Sequence, residues 1–67
     1  MRYKVRAKDR PAYWDLLRFL RRKPDTDVFV TSPRRRTIAT GDLSEETREG
    51  ILERGGEVDE DTQYGPG

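Results

Sequence analysis

The chain contains neither cysteine nor histidine. Without cysteine, no disulfide framework and no thiolate metal site can form. A domain this small ordinarily gains from such a staple, because its core is thin. With both residues absent, the commonest general base, the commonest metal ligand and the most reactive nucleophile are missing together. No enzymatic activity, cofactor or metal is therefore expected. Long apolar runs are missing too: nothing approaches the ~18 residues that mark a membrane span. The start, Met1-Arg2-Tyr3-Lys4, has no apolar h-region, so no signal peptide is expected and the default compartment is the cytoplasm. Apolar residues make up only 31% of the chain, so stability is expected to lean on a partner.

What the chain has in quantity is charge. Charged residues make up 40% of its 67 residues, yet the net charge is +1. Residues 1–36 carry 12 basic and 4 acidic side chains, a balance of +8. Residues 37–67 carry 2 basic and 9 acidic side chains, a balance of −7. Such a division implies two partners, or two halves that attract each other once folded. The length allows one domain and no second.

Tyr3, Val5 and Ala7 alternate with Arg2, Lys4, Arg6 and Lys8, the period of a strand with one buried face. Asp9 is suited to cap a helix and Pro11 to its first turn. From Ala12 to Lys23, residues Ala12, Tyr13, Leu16, Leu17, Phe19 and Leu20 share one arc of an amphipathic helix. Arg21, Arg22 and Lys23 complement its dipole and Pro24 ends it. Tyr13 and Trp14 are expected in the core and at its edge; the alternative for Trp14, just off the arc, is that it anchors a partner. Val28-Phe29-Val30-Thr31 reads as a second strand, Pro33-Arg34-Arg35 as a hairpin tip and Arg36-Thr37-Ile38-Ala39-Thr40 as a third strand. Ser44 is a good N-cap for a second helix, through Thr47 to Arg54, with Glu45 and Glu46 in its first turn. Gly50 inside it costs roughly 1 kcal/mol relative to alanine; it either allows a close approach to the sheet or is simply tolerated. Gly55-Gly56 stops the helix. Residues 57–61 form a last, weak strand and residues 62–67 an extended tail. The order strand, helix, strand, strand, helix, strand predicts an α+β, ferredoxin-like βαββαβ sandwich. Its four-stranded antiparallel sheet has strands 1 and 3 in the middle and two helices on one face. The domain spans 1–61.

Two charged constellations qualify as sites. Arg21, Arg22 and Lys23, with Arg34, Arg35 and Arg36, supply the clustered cations that phosphates attract. Ferredoxin-like sheets bind nucleic acid through exposed aromatics, but an RNP pattern on the middle strands is absent. The bland alternative is a solvated helix end and hairpin tip. Glu57, Asp59, Glu60 and Asp61 lack the spacing of a calcium loop, so they read as an edge strand kept soluble by charge. Lys8-Asp9-Arg10-Pro11 has no glycine-rich phosphate cradle of the acylphosphatase kind.

The run Ile38-Ala39-Thr40-Gly41-Asp42-Leu43-Ser44-Glu45-Glu46 resembles the junction of strand 3 and helix 2 in subtilisin-type propeptides, the inhibitor I9 family. Val58-Asp59-Glu60-Asp61, followed by Thr62-Gln63-Tyr64-Gly65-Pro66-Gly67, is similar to the acidic cluster and cleaved end of that family. The strand from Tyr3 to Lys8 fits the family's opening strand. The resemblance implies a βαββαβ domain that docks its sheet on two surface helices of a subtilisin-like serine protease. Asp59 and Asp61, with Glu60 as alternate, would cap the N-termini of those helices. Residues Thr62, Gln63, Tyr64, Gly65, Pro66 and Gly67 would lie as an added strand in the substrate cleft. Tyr64 would then fill the fourth subsite, Pro66 the second and Gly67 the first. Gly67 departs from the larger side chain usual there, and a register with Tyr64 in the first subsite is the alternative. With no catalytic domain in the chain, a stand-alone inhibitor or chaperone is expected. The competing expectation is a small nucleic-acid- or protein-binding module, of a phage type, that uses the two arginine clusters. No membrane partner is expected.

Overall fold

The computed structural model describes residues 2–60. Strand β1 (Tyr3–Ala7) alternates as its sequence dictates: Val5 and Ala7 are buried and Arg6 is exposed. Helix α1 (Arg10–Arg21) follows after a two-residue turn. Its N-cap is Asp9, whose carboxylate accepts the Ala12 N–H at 2.9 Å, and Pro11 sits in the first turn, where its missing N–H leaves no intrahelical bond unmade. Ala12, Tyr13, Leu16, Leu17 and Leu20 are its buried stripe. Strands β2 (Val28–Ser32) and β3 (Thr37–Thr40) form a hairpin. Helix α2 (Glu45–Glu53) is capped by Ser44, whose hydroxyl oxygen accepts the Thr47 N–H at 3.2 Å. Strand β4 (Gly56–Glu60) closes the sheet.

The sheet order is β2-β3-β1-β4, with every neighbouring pair antiparallel. This is the ferredoxin-like βαββαβ sandwich. β1 and β3 lie in the middle and β4 is an edge, as the right-handed crossover rule requires. Cross-strand partners share a face. Val5 opposite Ile38 and Val58 therefore points the same way as Tyr3 opposite Thr40, and this is the face the helices cover. The core consists of Val5, Ala7, Ala12, Tyr13, Leu16, Leu17, Leu20, Ile38, Leu43 and Ile51, with Tyr3, Phe19, Val28 and Val58 packed at its rim.

Two glycines mark where the helices come close. A Cβ on Gly56 would lie 2.8 Å from Leu16 Cδ1 and 2.7 Å from Ile51 Cγ2, so only a bare backbone fits at the start of β4. A Cβ on Gly50 would lie 2.5 Å from Phe19 Cζ. Gly50 thus admits an aromatic ring from α1, not a closer approach to the sheet. The Phe19 ring is flanked by two cations, with the Arg54 guanidinium 4.1 Å and the Lys23 ammonium 5.2 Å from its centroid. Arg54 also donates to the Gly50 carbonyl at 3.1 Å and approaches the Asp15 carboxylate at 3.8 Å. One arginine at the end of α2 therefore clasps two residues of α1.

Tyr13 is 1% exposed and its hydroxyl meets no hydrogen-bond partner among the described residues. The expectation that Trp14 packs at the core edge is corrected: it is 50% exposed. Its position next to the buried arc leaves it on the rim of α1, where it touches the Tyr13 ring edge-on, with centroids 5.0 Å apart.

Two stability measurements test this packing. Gly50→Ala should lower stability by about 1 kcal/mol, because the added methyl displaces Phe19. In a Phe19→Ala background the same change should raise stability by about 1 kcal/mol through helix propensity. Urea titrations of the four proteins read the difference, and an equal effect in both backgrounds would show that the ring does not require the glycine. Separately, Tyr13→Phe should raise stability by about 1 kcal/mol, because it removes a buried unpaired hydroxyl. A loss of stability in thermal melts would refute that account.

Candidate functional site

The face of the sheet opposite the helices is uncovered. Register places Lys4, Arg6, Thr37, Ala39, Glu57 and Asp59 on it, with Val30 opposite Ala39 and Ser32 opposite Thr37. The β2–β3 register shifts between Val28 and Val30. An extra residue in one strand breaks strict alternation. Here Val28 stays at the rim of the core, whereas Phe29 and Val30 are 53% and 56% exposed. The Arg2 guanidinium lies 5.2 Å from the Phe29 centroid, and a Cβ on Gly41 would touch that ring at 3.4 Å. The bulge therefore sets two large apolar side chains side by side on an edge strand, next to the small residues Thr37 and Ala39.

Charge on this face is arranged in opposed columns. Lys4 faces Asp59 and Arg6 faces Glu57 across the β1–β4 pair. Opposite charges so placed contribute about 0.2–1 kcal/mol per pair. The basic and acidic parts of the chain thus meet in neighbouring strands. Asp59 belongs to the open face, whereas Glu60 lies opposite Tyr3 on the helix side. Glu60 borders a cleft there with Tyr3, Glu45, Arg48, Leu52 and Val58. The two acidic residues thus leave β4 on opposite sides. Asp61, Thr62, Gln63, Tyr64, Gly65, Pro66 and Gly67 lie outside the described residues.

The two arginine clusters are partly drawn together. Arg21 and Arg22 line an open cleft of about 400 Å³ with Trp14, Leu17 and Arg18. Arg34 lines an adjoining one of about 230 Å³ with Arg10, Trp14 and Pro33. Trp14 is common to both. Lys23 leaves the group: it lies over Phe19, in a cleft bordered by Glu46, Glu49 and Glu53. Arg35 and Arg36 are exposed in the β2–β3 turn. Arg36 has a left-handed backbone, φ 56°, and its carbonyl accepts the Ala7 N–H at 2.9 Å. It contributes to the turn through its main chain.

Reading triplets along the sequence missed Arg10 and Arg18. Their signal was helical: Arg10, Trp14, Arg18 and Arg22 recur every fourth residue and form one stripe on α1.

Among the described residues no group of three or more carboxylates is placed to hold a metal ion, and no helix is long and apolar enough to cross a membrane. The chemistry these surfaces offer is recognition, by apolar contact on the open sheet face and by charge and stacking at the Trp14 corner. No protein-family model, curated protein or solved structure matches the chain.

Proposed function

We propose that the chain is a propeptide-like inhibitor or folding chaperone of a subtilisin-like serine protease, engaging it with the open face of its sheet. The observation that carries this reading is the adjacent, exposed pair Phe29 and Val30 on an otherwise uncovered sheet. Large apolar side chains set side by side on a soluble domain are the anchors of protein interfaces. Their neighbours Thr37 and Ala39 are small, which lets a helix of the partner approach the sheet closely. Asp59 lies on the same face, at the outer strand. In the family that the sequence resembles, an acidic residue at this point meets the positive end of a protease helix, and a carboxylate there gains from the helix dipole. Asp59 fits that role better than Glu60, which belongs to the helix side. The chain continues beyond β4 with residues 62–67, which by the same resemblance occupy the substrate cleft through backbone hydrogen bonds. Inhibition is then occupation of the cleft by a product-like strand, with no covalent bond to the protease.

The test is a panel of subtilisin-like proteases assayed with the full chain. At least one should be slowed. Removing residues 62–67 should abolish the inhibition and leave the circular dichroism spectrum and melting temperature unchanged. Val30→Glu, which puts a charge on the docking face without touching the core, should weaken inhibition about tenfold, equivalent to about 1.4 kcal/mol. The proposal fails if the full chain slows no member of the panel, or if inhibition survives both changes.

A further inference from the structure

A second surface, which shares no residue with the open sheet face, carries a separate inference. We propose that the corner around Trp14 binds single-stranded nucleic acid, stacking a base on the indole and holding the flanking phosphates with arginines.

Five arginines surround this tryptophan across two adjoining clefts: Arg10, Arg18, Arg21, Arg22 and Arg34. No carboxylate lines either cleft. None of the five guanidinium groups has an ion-pair partner among the described residues. The cations elsewhere are engaged differently. Arg54 reaches Asp15, Arg48 lies over the Tyr3 ring and Lys23 lies over Phe19. The fold leaves five guanidiniums together beside one aromatic ring.

Helix physics accounts for only part of this grouping. Arg18, Arg21 and Arg22 sit near the C-terminus of α1, where the dipole favours cations. Arg10 is the first residue of the same helix, where the dipole disfavours a cation and the first turn has no acidic residue to offset it. Arg18 and Arg22 are four residues apart, a like-charge spacing that destabilises a helix. Arg34 comes from a different element, the β2–β3 turn. A polyanion lying along the stripe neutralises all of these costs at once.

Trp14 distinguishes nucleic acid from other polyanions. It is 50% exposed, and its edge-on contact with the buried Tyr13 steadies the ring. A half-exposed indole among guanidiniums offers what a base and its phosphates need together: a stacking surface and forked donors. An acidic protein surface would use the charge and leave the ring idle. From Arg10 to Arg22 the stripe runs about 18 Å at 1.5 Å per residue, which is roughly five nucleotides at a strand spacing of 3.4 Å.

The probes are ten-nucleotide oligo-dT and oligo-U, titrated at low salt into the full chain while the fluorescence of Trp14, its single tryptophan, is recorded. The expected result is saturable quenching with at least one of them. The binding constant should fall with salt at a log–log slope of about −3.5, from ~5 phosphates at ~0.7 each. Arg21→Gln with Arg34→Gln should reduce the slope by about 1.4. Trp14→Leu, read by anisotropy of a labelled oligonucleotide, should weaken binding about tenfold and leave the circular dichroism spectrum unchanged. Polyglutamate is the control for charge alone. The proposal is overturned if neither oligonucleotide binds. It is equally overturned if polyglutamate competes as well as oligo-dT, or if Trp14→Leu binds undiminished. Protease inhibition is read in a separate assay through Val30 and residues 62–67, so either proposal can fail without the other.

Discussion

The strict alternation of β1 governs the rest of the molecule. It pairs on both sides, with β3 and β4, and itself carries two residues of the core, Val5 and Ala7. Its odd residues point to the helices and its even residues to the open face. A slip of one residue would exchange Val5 and Ala7 for Lys4 and Arg6 and bury cations without partners, at a cost far above the stability of so small a domain. The register of β3 and of β4 is set against this strand. So is the identity of the sheet face that remains uncovered.

A core on one face of one sheet leaves little apolar area, and the helices make up for it by close contact. Gly56 and Gly50 are the two points where a side chain has been given up for proximity: at one, Leu16 and Ile51 close over bare backbone, and at the other, Phe19 does. The rim around Phe19 is flanked by Arg54 and Lys23, whose charged heads lie over the ring. Long cationic side chains thus supply some of the burial that a chain with 31% apolar residues lacks. This is why a composition dominated by charge is compatible with a folded domain that has no disulfide or metal.

The elements were legible in the sequence because each depends on local chemistry. Asp9 and Pro11 start α1, Ser44 starts α2, and Gly55, with φ 83°, ends it in a conformation that suits glycine. Sheet order followed from crossover handedness. What stayed hidden depends on events without a local signature. The bulge in β2 is one: nothing in Val28-Phe29-Val30 announces that Phe29 and Val30 both emerge on the open face. Gly50 is another, since the ring that needs it lies 31 residues earlier, at Phe19. The Trp14 corner was half legible. The helical stripe from Arg10 to Arg22 was there to be read, but the arrival of Arg34 from the turn depends on how the hairpin packs beside α1.

The division of charge between the two parts of the chain resolves into a pairing and a remainder. The cations of β1 face the acids of β4, and Lys23 lies among the glutamates of α2. The halves do attract each other, and the sheet is where they meet. Subtracting these pairs leaves an excess of cations, five of which are gathered at one corner. Self-attraction therefore accounts for part of the division of charge, but it does not explain why five cations are collected around Trp14. Charges kept only for solubility gain by being dispersed, since like charges repel at short range. Collecting five of them beside an exposed indole works against that, and the proposed nucleic-acid ligand, an anion with a planar ring, would offset the cost.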